Sequence, residues 1–146
     1  MIIPNSLSSI FTDKHFANYP KVLVPQNFID DRGSIKNIAD GELGDVAVIT
    51  SKANSIRANH IHDQDWHLCY LVSGSMKYYW SINLENSESE SIVVNAGEMV
   101  YTPSKTPHKM LFLEDSVFVA ISNLSRVQES YEADTKKLSD NFFPND

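Results

Sequence analysis

The chain has 146 residues, of which 42% are hydrophobic and 21% charged, and its formal net charge at pH 7 is −7. This composition is that of a globular protein with one apolar core, which we expect to span residues 1–146, and it excludes a disordered chain. The acidic balance argues against a nucleic-acid-binding protein, and no apolar run reaches the roughly 20 residues of a membrane span. Because Cys69 is the single cysteine, an internal disulfide is excluded and we expect a cytoplasmic protein.

Short apolar runs separated by turn residues fill the middle of the chain. The clearest runs, all rich in β-branched and aromatic residues, cover residues 45–50, 67–72, 76–82, 91–94, 99–102, 109–113 and 116–121. Many short strands at nearly regular spacing are typical of an antiparallel sandwich or barrel. We therefore predict an all-β barrel over about residues 22–122.

The C-terminal tail has a different pattern. Ser125 and Gln128 have the spacing of a capping box, with the serine at the N-cap and the glutamine at N3. Three residues then fall near one face of a helix: Val127, Tyr131 and Leu138. We expect a short C-terminal helix over about residues 125–138, packed on the barrel, and fraying of residues 141–146.

Four of the five histidines are predicted to form one site. His60 and His62 are separated by one residue, so both project from the same face of a strand. His67 begins the next apolar run, and His108 lies far along the chain after a proline-containing turn. This grouping is typical of an imidazole cage for a divalent transition metal such as Zn, Ni, Fe or Mn. His15, in the mixed N-terminal segment, is expected to be a structural or surface residue and not a ligand.

The residues around these histidines resemble the two motifs of the cupins. Residues 57–74, which contain His-Ile-His, then His67 and finally Gly74, match the first motif. Residues 97–108, with glycine, proline and histidine at the expected intervals, look like the second motif. The resemblance implies a double-stranded β-helix, the cupin jelly roll, whose interior holds the histidines. The chain departs from the motifs at His67, where the cupins carry a glutamate ligand, and at Lys105, where they carry glycine.

Further stretches resemble the nucleotide-sugar cupins, namely the sugar 3,4-ketoisomerases and the rhamnose-pathway 3,5-epimerases. Residues 30–33, Asp-Asp-Arg-Gly, look like their D-x-R-G stretch. Residues 57–62 are similar to the R-G-x-H-A-H of the ketoisomerases, with Ala58 in place of glycine, and the segments at 122–125 and 131–135 look like the end of that family's barrel. The resemblance implies an isomerase or epimerase of a nucleotide-linked 4-keto-6-deoxy sugar, acting in sugar or surface-polysaccharide biosynthesis.

Proton transfer next to a ketone requires a base tuned near neutral pH, and the resemblance implies that His60 and His62 supply it. Arg57 is expected to hold the substrate or orient a histidine. Arg32 is expected to bind the pyrophosphate, because a guanidinium matches phosphate oxygens bidentately. Further candidates for substrate binding are aromatic: Tyr70, Tyr78, Tyr101 and Trp66. One tyrosine is expected to act as the acid, and of the neighbours Tyr78 and Tyr79 at most one lines the cavity.

One conflict stays open, because an imidazole whose lone pair is bound to a metal cannot accept a proton from a substrate. If His60 and His62 are metal ligands, another group must be the base. The alternatives are therefore a metal-dependent multi-histidine cupin, similar to the dioxygenases, and a non-catalytic cupin that binds a metal or a small ligand. No organic cofactor is predicted.

A small jelly roll leaves strand edges exposed, and these edges are commonly covered by a second subunit. We therefore expect a homodimer. Residues 22–38 are the predicted segment for strand exchange, which would bring Arg32 to the pocket of the neighbouring subunit.

Overall fold

The structure, a computed structural model, describes residues 3–4, 7–8, 10–24, 26–85 and 88–144. The strands are β1 Lys21–Val22, β2 Gln26–Asp30, β3 Gly33–Asn37, β4 Asp45–Ser51, β5 Ile56–His62, β6 His67–Ser73, β7 Ser75–Ser81, β8 Ser89–Asn95, β9 Met99–Thr102, β10 His108–Phe112, β11 Ser116–Ser122 and β12 Thr135–Lys137. The helix α1, Gln128–Asp134, lies between β11 and β12. Within the described residues, no helix has the length and apolarity needed to cross a membrane.

Two five-stranded antiparallel sheets enclose the core. One sheet has the order β1-β9-β6-β11-β4, and the other has the order β12-β5-β10-β7-β8. The rings of Phe112 and Phe118, one from each sheet, stack with their centroids 5.5 Å apart. The predicted all-β jelly roll is therefore confirmed.

The strands agree closely with the predicted apolar runs. Each of the seven runs coincides with a strand, and the ends differ by at most two residues. In β4, exposed positions alternate with more buried ones, which is the period of two that one solvated face of a sheet produces. Local alternation and β-branched residues therefore predict seven of the ten strands in the two large sheets, and the other three, β1, β5 and β12, are not among the predicted runs.

The helix α1 is shorter than predicted. It begins at Gln128, and its N-cap is Val127 rather than Ser125, whose hydroxyl instead accepts a hydrogen bond from the Val127 N–H at 3.1 Å. The residues after Asp134 leave the helix and form β12, which pairs with β5. This pairing satisfies the backbone of β5, which would otherwise be an exposed sheet edge, and it overrides the local helical pattern.

The predicted fraying of the tail is wrong for Phe143. Its side chain is 1% exposed, and its ring lies 5.8 Å from that of Tyr79. Leu138, predicted on the helix, instead follows β12 and joins the same apolar cluster. Residues 145 and 146 lie outside the described residues. The apolar contacts of Leu138 and Phe143 with Tyr79 thus hold the end of the chain on the outer face of the sheet.

A separate hairpin, formed by β2 and β3, stands apart from the two large sheets. It exposes three large apolar side chains: Phe28 (59%), Ile29 (70%) and Ile35 (66%). The hairpin falls within the segment 22–38 that we predict to be exchanged in a dimer, and its apolar faces have the character of a surface that a partner covers.

Candidate active site in the barrel

A β-bulge in β5 shapes the histidine-bearing strand. Ala58 and Asn59 both have left-handed backbone angles, with φ of 64° and 58°. In the pairing with β10, His60 lies opposite His108 and Ala58 lies opposite Lys109, so that Asn59 is the extra residue. Beyond the bulge, normal strand alternation resumes.

The four predicted imidazoles converge. The ring centroid of His60 lies 4.4 Å from that of His62 and 4.7 Å from that of His108. The centroid of His67 lies 4.6 Å from that of His62. One ring nitrogen from each of His60, His62 and His108 lies within 4.8 Å of the others. Such a group of imidazole nitrogens could hold a divalent transition metal.

The cavity beside these rings has a volume of about 110 Å³. Its apolar lining residues are Ile49, Ala58, Cys69, Met110, Phe118 and Ala120. Arg57, Arg126 and Tyr131 line the same cavity, together with His60, His67 and His108. His62 lies beside these imidazoles but does not line the cavity itself. The site therefore combines imidazoles, two cations and a phenol above an apolar surface.

Hydrogen bonds determine which nitrogens carry protons. The hydroxyl of Thr135 donates to the carbonyl of Tyr131 at 2.6 Å, so at its 3.1 Å contact with Nδ1 of His62 it can only accept. Nδ1 of His108 lies 2.9 Å from the carbonyl of Thr106, which also only accepts. Both histidines therefore carry a proton on Nδ1 and a lone pair on Nε2. Nε2 of His62 is buried and has no hydrogen-bond partner among the described residues.

Burial keeps these imidazoles neutral. Desolvation, with smaller contributions from His62, His67 and Arg126, lowers the pKa of His60 to about 3. Desolvation and the neighbouring His67 lower the pKa of His62 to about 4. Burial also places the pKa of His108 well below its ordinary value. At neutral pH three lone pairs are therefore available, either to accept a proton or to bind a metal.

His67 differs from the other three histidines. Its Nε2 lies 2.8 Å from Oδ2 of Asp65, which is 4% exposed. Burial raises the pKa of the Asp65 carboxyl, but hydrogen bonds from His67 and from the Leu124 N–H outweigh it, so the pKa is lowered. Nε2 of His67 therefore donates to a carboxylate. His67 and Asp65, with His62, form a second group of metal-binding type.

The two predicted arginines occupy different environments. Arg57 lines the cavity, and its guanidinium donates to Oγ of Ser51 at 2.6 Å and to the carbonyl of Thr50 at 2.8 Å. Arg32 lies at the tip of the β2–β3 hairpin, where its side chain is 82% exposed and forms an ion pair of 2.6 Å with Asp30. Within the described chain, the fold brings Arg57 but not Arg32 into the lining of the cavity.

Tyr78 lies inside the barrel. Its ring stacks on that of His108 at 6.4 Å, and its hydroxyl lies 2.6 Å from Oγ1 of Thr102. Burial raises the pKa of Tyr78 well above its ordinary value, so the hydroxyl stays protonated. Tyr79 faces the opposite side of the sheet and packs on Phe143, as the alternation of a strand requires.

The other aromatic candidates lie away from the imidazoles. The hydroxyl of Tyr70 accepts a hydrogen bond of 3.2 Å from Lys36. Trp66 and Tyr101 are buried in a second apolar cluster, with their ring centroids 6.4 Å apart. None of these three aromatic residues lines the described cavity, and Tyr78, which packs on His108, does not line it either.

Two further residues of the site follow the barrel in the chain and were not predicted to take part in it. Nε of Arg126 lies 2.9 Å from a carboxylate oxygen of Asp45. The ring of Tyr131 lies 5.7 Å from that of His62 and 6.4 Å from that of His60. The sequence signal that points to Arg126 is a cation shortly after the apolar run of β11. Tyr131 was predicted only as an apolar residue of the helix.

Solved structures share the fold of this chain, although no family model and no curated protein matches it. QdtA, a sugar 3,4-ketoisomerase from Thermoanaerobacterium thermosaccharolyticum solved in complex with TDP, is 18% identical with a TM-score of 0.67, over 86% of this chain and 93% of QdtA. The dTDP-4-dehydrorhamnose 3,5-epimerase from Sulfolobus tokodaii is 14% identical with a TM-score of 0.66, over 83% of this chain and 77% of the epimerase.

The capsular polysaccharide assembling protein CapF from Staphylococcus aureus is 24% identical with a TM-score of 0.59. The similarity covers 84% of this chain but only 33% of CapF, so the chain spans about a third of that protein. The predicted resemblance is thus confirmed for the fold: this chain has the cupin-type fold of the sugar-nucleotide ketoisomerases and epimerases.

Proposed function

We propose that the protein is an isomerase or epimerase of a nucleotide-linked 4-keto-6-deoxy sugar. The observation that carries the proposal is the lone pair on Nε2 of His62, which is buried, unpartnered among the described residues and close to two other neutral imidazoles. The fold supports the choice of substrate class, since a mutant of QdtA has been solved with TDP-4-keto-6-deoxyglucose. A role in sugar or surface-polysaccharide biosynthesis follows from this substrate.

The imidazoles supply the base. In a ketoisomerisation, the C3–H bond breaks, its proton passes to neutral His60 or His62, and its electron pair forms the double bond of an enediolate. Negative charge develops on the former ketone oxygen at C4. Return of a proton to C4, with transfer of the 3-hydroxyl proton to the C4 oxygen, gives the 3-keto isomer. The negative charge of the bound substrate favours the protonated imidazole and so raises its low pKa during the reaction.

The guanidinium groups provide the complementary charge. Arg57 and Arg126 line the cavity together with His60, His67 and His108, and guanidinium groups bind diphosphate oxygens or a developing oxyanion well. Arg32 reaches the histidine-lined cavity only if the β2–β3 hairpin is exchanged between two subunits, so that Arg32 of one subunit lies at the cavity of the other. We therefore propose a homodimer in which Arg32 contributes to the nucleotide site of the partner subunit. The cytoplasmic location stays a prediction.

A metal-dependent cupin is the second candidate. His60, His62 and His108 fit a divalent transition metal, because their nitrogens lie within 4.8 Å of one another and at least two present lone pairs. Such a metal would supply Lewis-acid chemistry for a carbonyl or enolate oxygen, or for dioxygen. If the same histidines bind a metal or a small ligand but catalyse no reaction, the protein is a binding protein and not an enzyme. Tight binding of a metal or ligand, with no conversion of any sugar, would favour a binding protein.

The proposal is tested with TDP-4-keto-6-deoxyglucose in deuterated water. We expect nuclear magnetic resonance to show either a new 3-keto isomer that carries deuterium at C4, or an epimer that carries deuterium at C3 or C5. Absence of deuterium from C3, C4 and C5, with folded protein and no new sugar formed, would contradict the proposal. Oxygen uptake in place of exchange would favour the metal-dependent alternative.

A further inference from the structure

Arg57 and His60 share one cavity although they lie three residues apart on β5. In a regular strand, side chains three apart project from opposite faces. The pairing with β10 shows how this strand differs, because His60 lies opposite His108 and Arg57 lies opposite Met110, both of which also line the cavity. The extra residue of the bulge therefore places Arg57, which is exposed, on the same face of β5 as His60.

The bulge is costly by itself. Ala58 and Asn59 are consecutive residues with left-handed backbone angles, a conformation that residues with a Cβ atom rarely adopt. Asparagine tolerates it better than most residues, whereas a β-branched residue does not. Such strain persists only where the surrounding structure holds it in place, and it commonly marks a functional site.

The C-terminal segment holds the bulge. The carbonyl of Asn59 accepts a hydrogen bond of 3.0 Å from the N–H of Leu138. The amide of Asn59, which is 9% exposed, donates weakly to the carbonyl of Ser139 at 3.4 Å. Leu138 is in turn buried against Tyr79 and Phe143. Asn59 is thus hydrogen-bonded to a segment of the chain that is itself held by the burial of Leu138.

We infer that Asn59 is a positioning residue, whose left-handed backbone and attachment to Leu138 hold the bulge that places the Arg57 guanidinium and the His60 imidazole in one cavity. Asn59 itself lies opposite the imidazoles, on the face that the C-terminal segment covers. Only the turnover readout of this inference rests on the proposed function.

The test compares substitutions that differ in their tolerance of a positive φ. Asn59→Val disfavours the left-handed backbone, and we expect kcat to fall about 100-fold because the reacting groups are misplaced. Asn59→Gly adopts the same backbone freely, so it should keep kcat within about fivefold of the wild type. Asn54→Val is the matched control, since Asn54 also has a positive φ of 70° but lies in an exposed turn that does not line the cavity.

The control separates positioning from stability. We expect Asn54→Val to lower the melting temperature yet retain kcat. Retention of kcat by Asn59→Val, or an equal loss of kcat in Asn59→Val and Asn59→Gly, would overturn the inference. If Asn59→Val does not fold, Asn59→Ala replaces it, and its kcat must lie below that of Asn59→Gly.

Crystal structures of the variants give a readout that needs no turnover. In Asn59→Val, or in Asn59→Ala if it replaces that variant, the side chain of Arg57 should leave the cavity, and in Asn59→Gly it should stay. An unchanged Arg57 in the first of these variants would overturn the inference. If the wild type converts no keto sugar, the proposed function fails, while these structures still decide the role of Asn59.

Discussion

His60 on β5 lies directly opposite His108 on β10, and their ring centroids are 4.7 Å apart. The two residues come from motifs well separated in the chain, and the antiparallel register of this strand pair brings them together. The next histidine on the same face, His62, is paired with Thr135 of β12. The site therefore depends on β5 being held between β10 and the C-terminal strand.

Loss of the proposed base should abolish proton exchange. We expect His62→Gln to lower the rate of deuterium incorporation into TDP-4-keto-6-deoxyglucose by about 10²–10⁴-fold, since glutamine accepts no proton. Nuclear magnetic resonance measures the rate. His15→Gln is the matched control, because His15 lies near the N-terminus and contacts Thr12. An exchange rate in His62→Gln equal to that of the control would remove His62 as the base.

Arg126 should contribute to binding of the anionic substrate. We expect Arg126→Gln to weaken the binding of TDP about tenfold, because one charge-assisted contact with the diphosphate is lost. Titration calorimetry with TDP measures the effect. Lys14→Gln removes an exposed cation away from the cavity and should leave the affinity unchanged. Equal TDP affinities for both variants would place the diphosphate elsewhere.

Stability should decrease as the pH falls below the ordinary histidine pKa. The pKa values of His60 and His62 are lowered from 6.5 to about 3 and about 4. At pH values between the lowered pKa values and 6.5, these histidines bind protons in the unfolded chain but not in the folded chain. The free energy of unfolding therefore falls with decreasing pH in this range.

Denaturant titrations from pH 7 to pH 4 measure this dependence. The double variant His60→Gln/His62→Gln should show a shallower decrease in the free energy of unfolding than the wild type. Identical slopes for the two proteins would mean that these imidazoles are not held neutral by burial.

The end of the chain should stabilise the fold. Phe143 is almost fully buried, and Phe143→Ala is expected to lower the free energy of unfolding by about 3–5 kcal/mol. Ile82→Ala, at a position that is 71% exposed, should change it by less than about 0.5 kcal/mol. Chemical denaturation measures both values. A small effect at Phe143 would restore the expectation of a frayed tail.

The β2–β3 hairpin should mediate self-association. Phe28→Asp places a charge on its exposed apolar surface, and we expect sedimentation to show a monomer where the wild type is a dimer. Ile82→Asp introduces the same charge at another exposed apolar position and should leave the dimer intact. A wild-type protein that sediments as a monomer would contradict the proposed exchange.

Short-range sequence patterns predicted most strands of the barrel and the grouping of the four imidazoles. The spacing of His60 and His62 placed both on one face, because the period of two needs no information from elsewhere in the chain. The structure departs from that period at Asn59. Simple alternation would separate Arg57 from His60, and only the bulge brings them to one side.

Long-range pairing was not accessible to local patterns. Residues 135–137 continue a helical pattern in the sequence, yet they form β12 because β5 offers a free edge. Arg126 and Tyr131 reach the cavity only because the segment between β11 and β12 passes beside it. The burial of Phe143 was missed, since the tail was predicted to fray and its partner Tyr79 is remote in sequence.

The most direct test of the account is deuterium exchange by protein dialysed against a chelator, with its metal content measured by elemental analysis. If the free lone pairs of His60 and His62 move the proton, the sugar of TDP-4-keto-6-deoxyglucose should gain deuterium at C3, C4 or C5 at the undiminished rate in metal-free protein. Exchange that disappears on chelation and returns with added metal would contradict the account, and so would complete absence of exchange in both preparations.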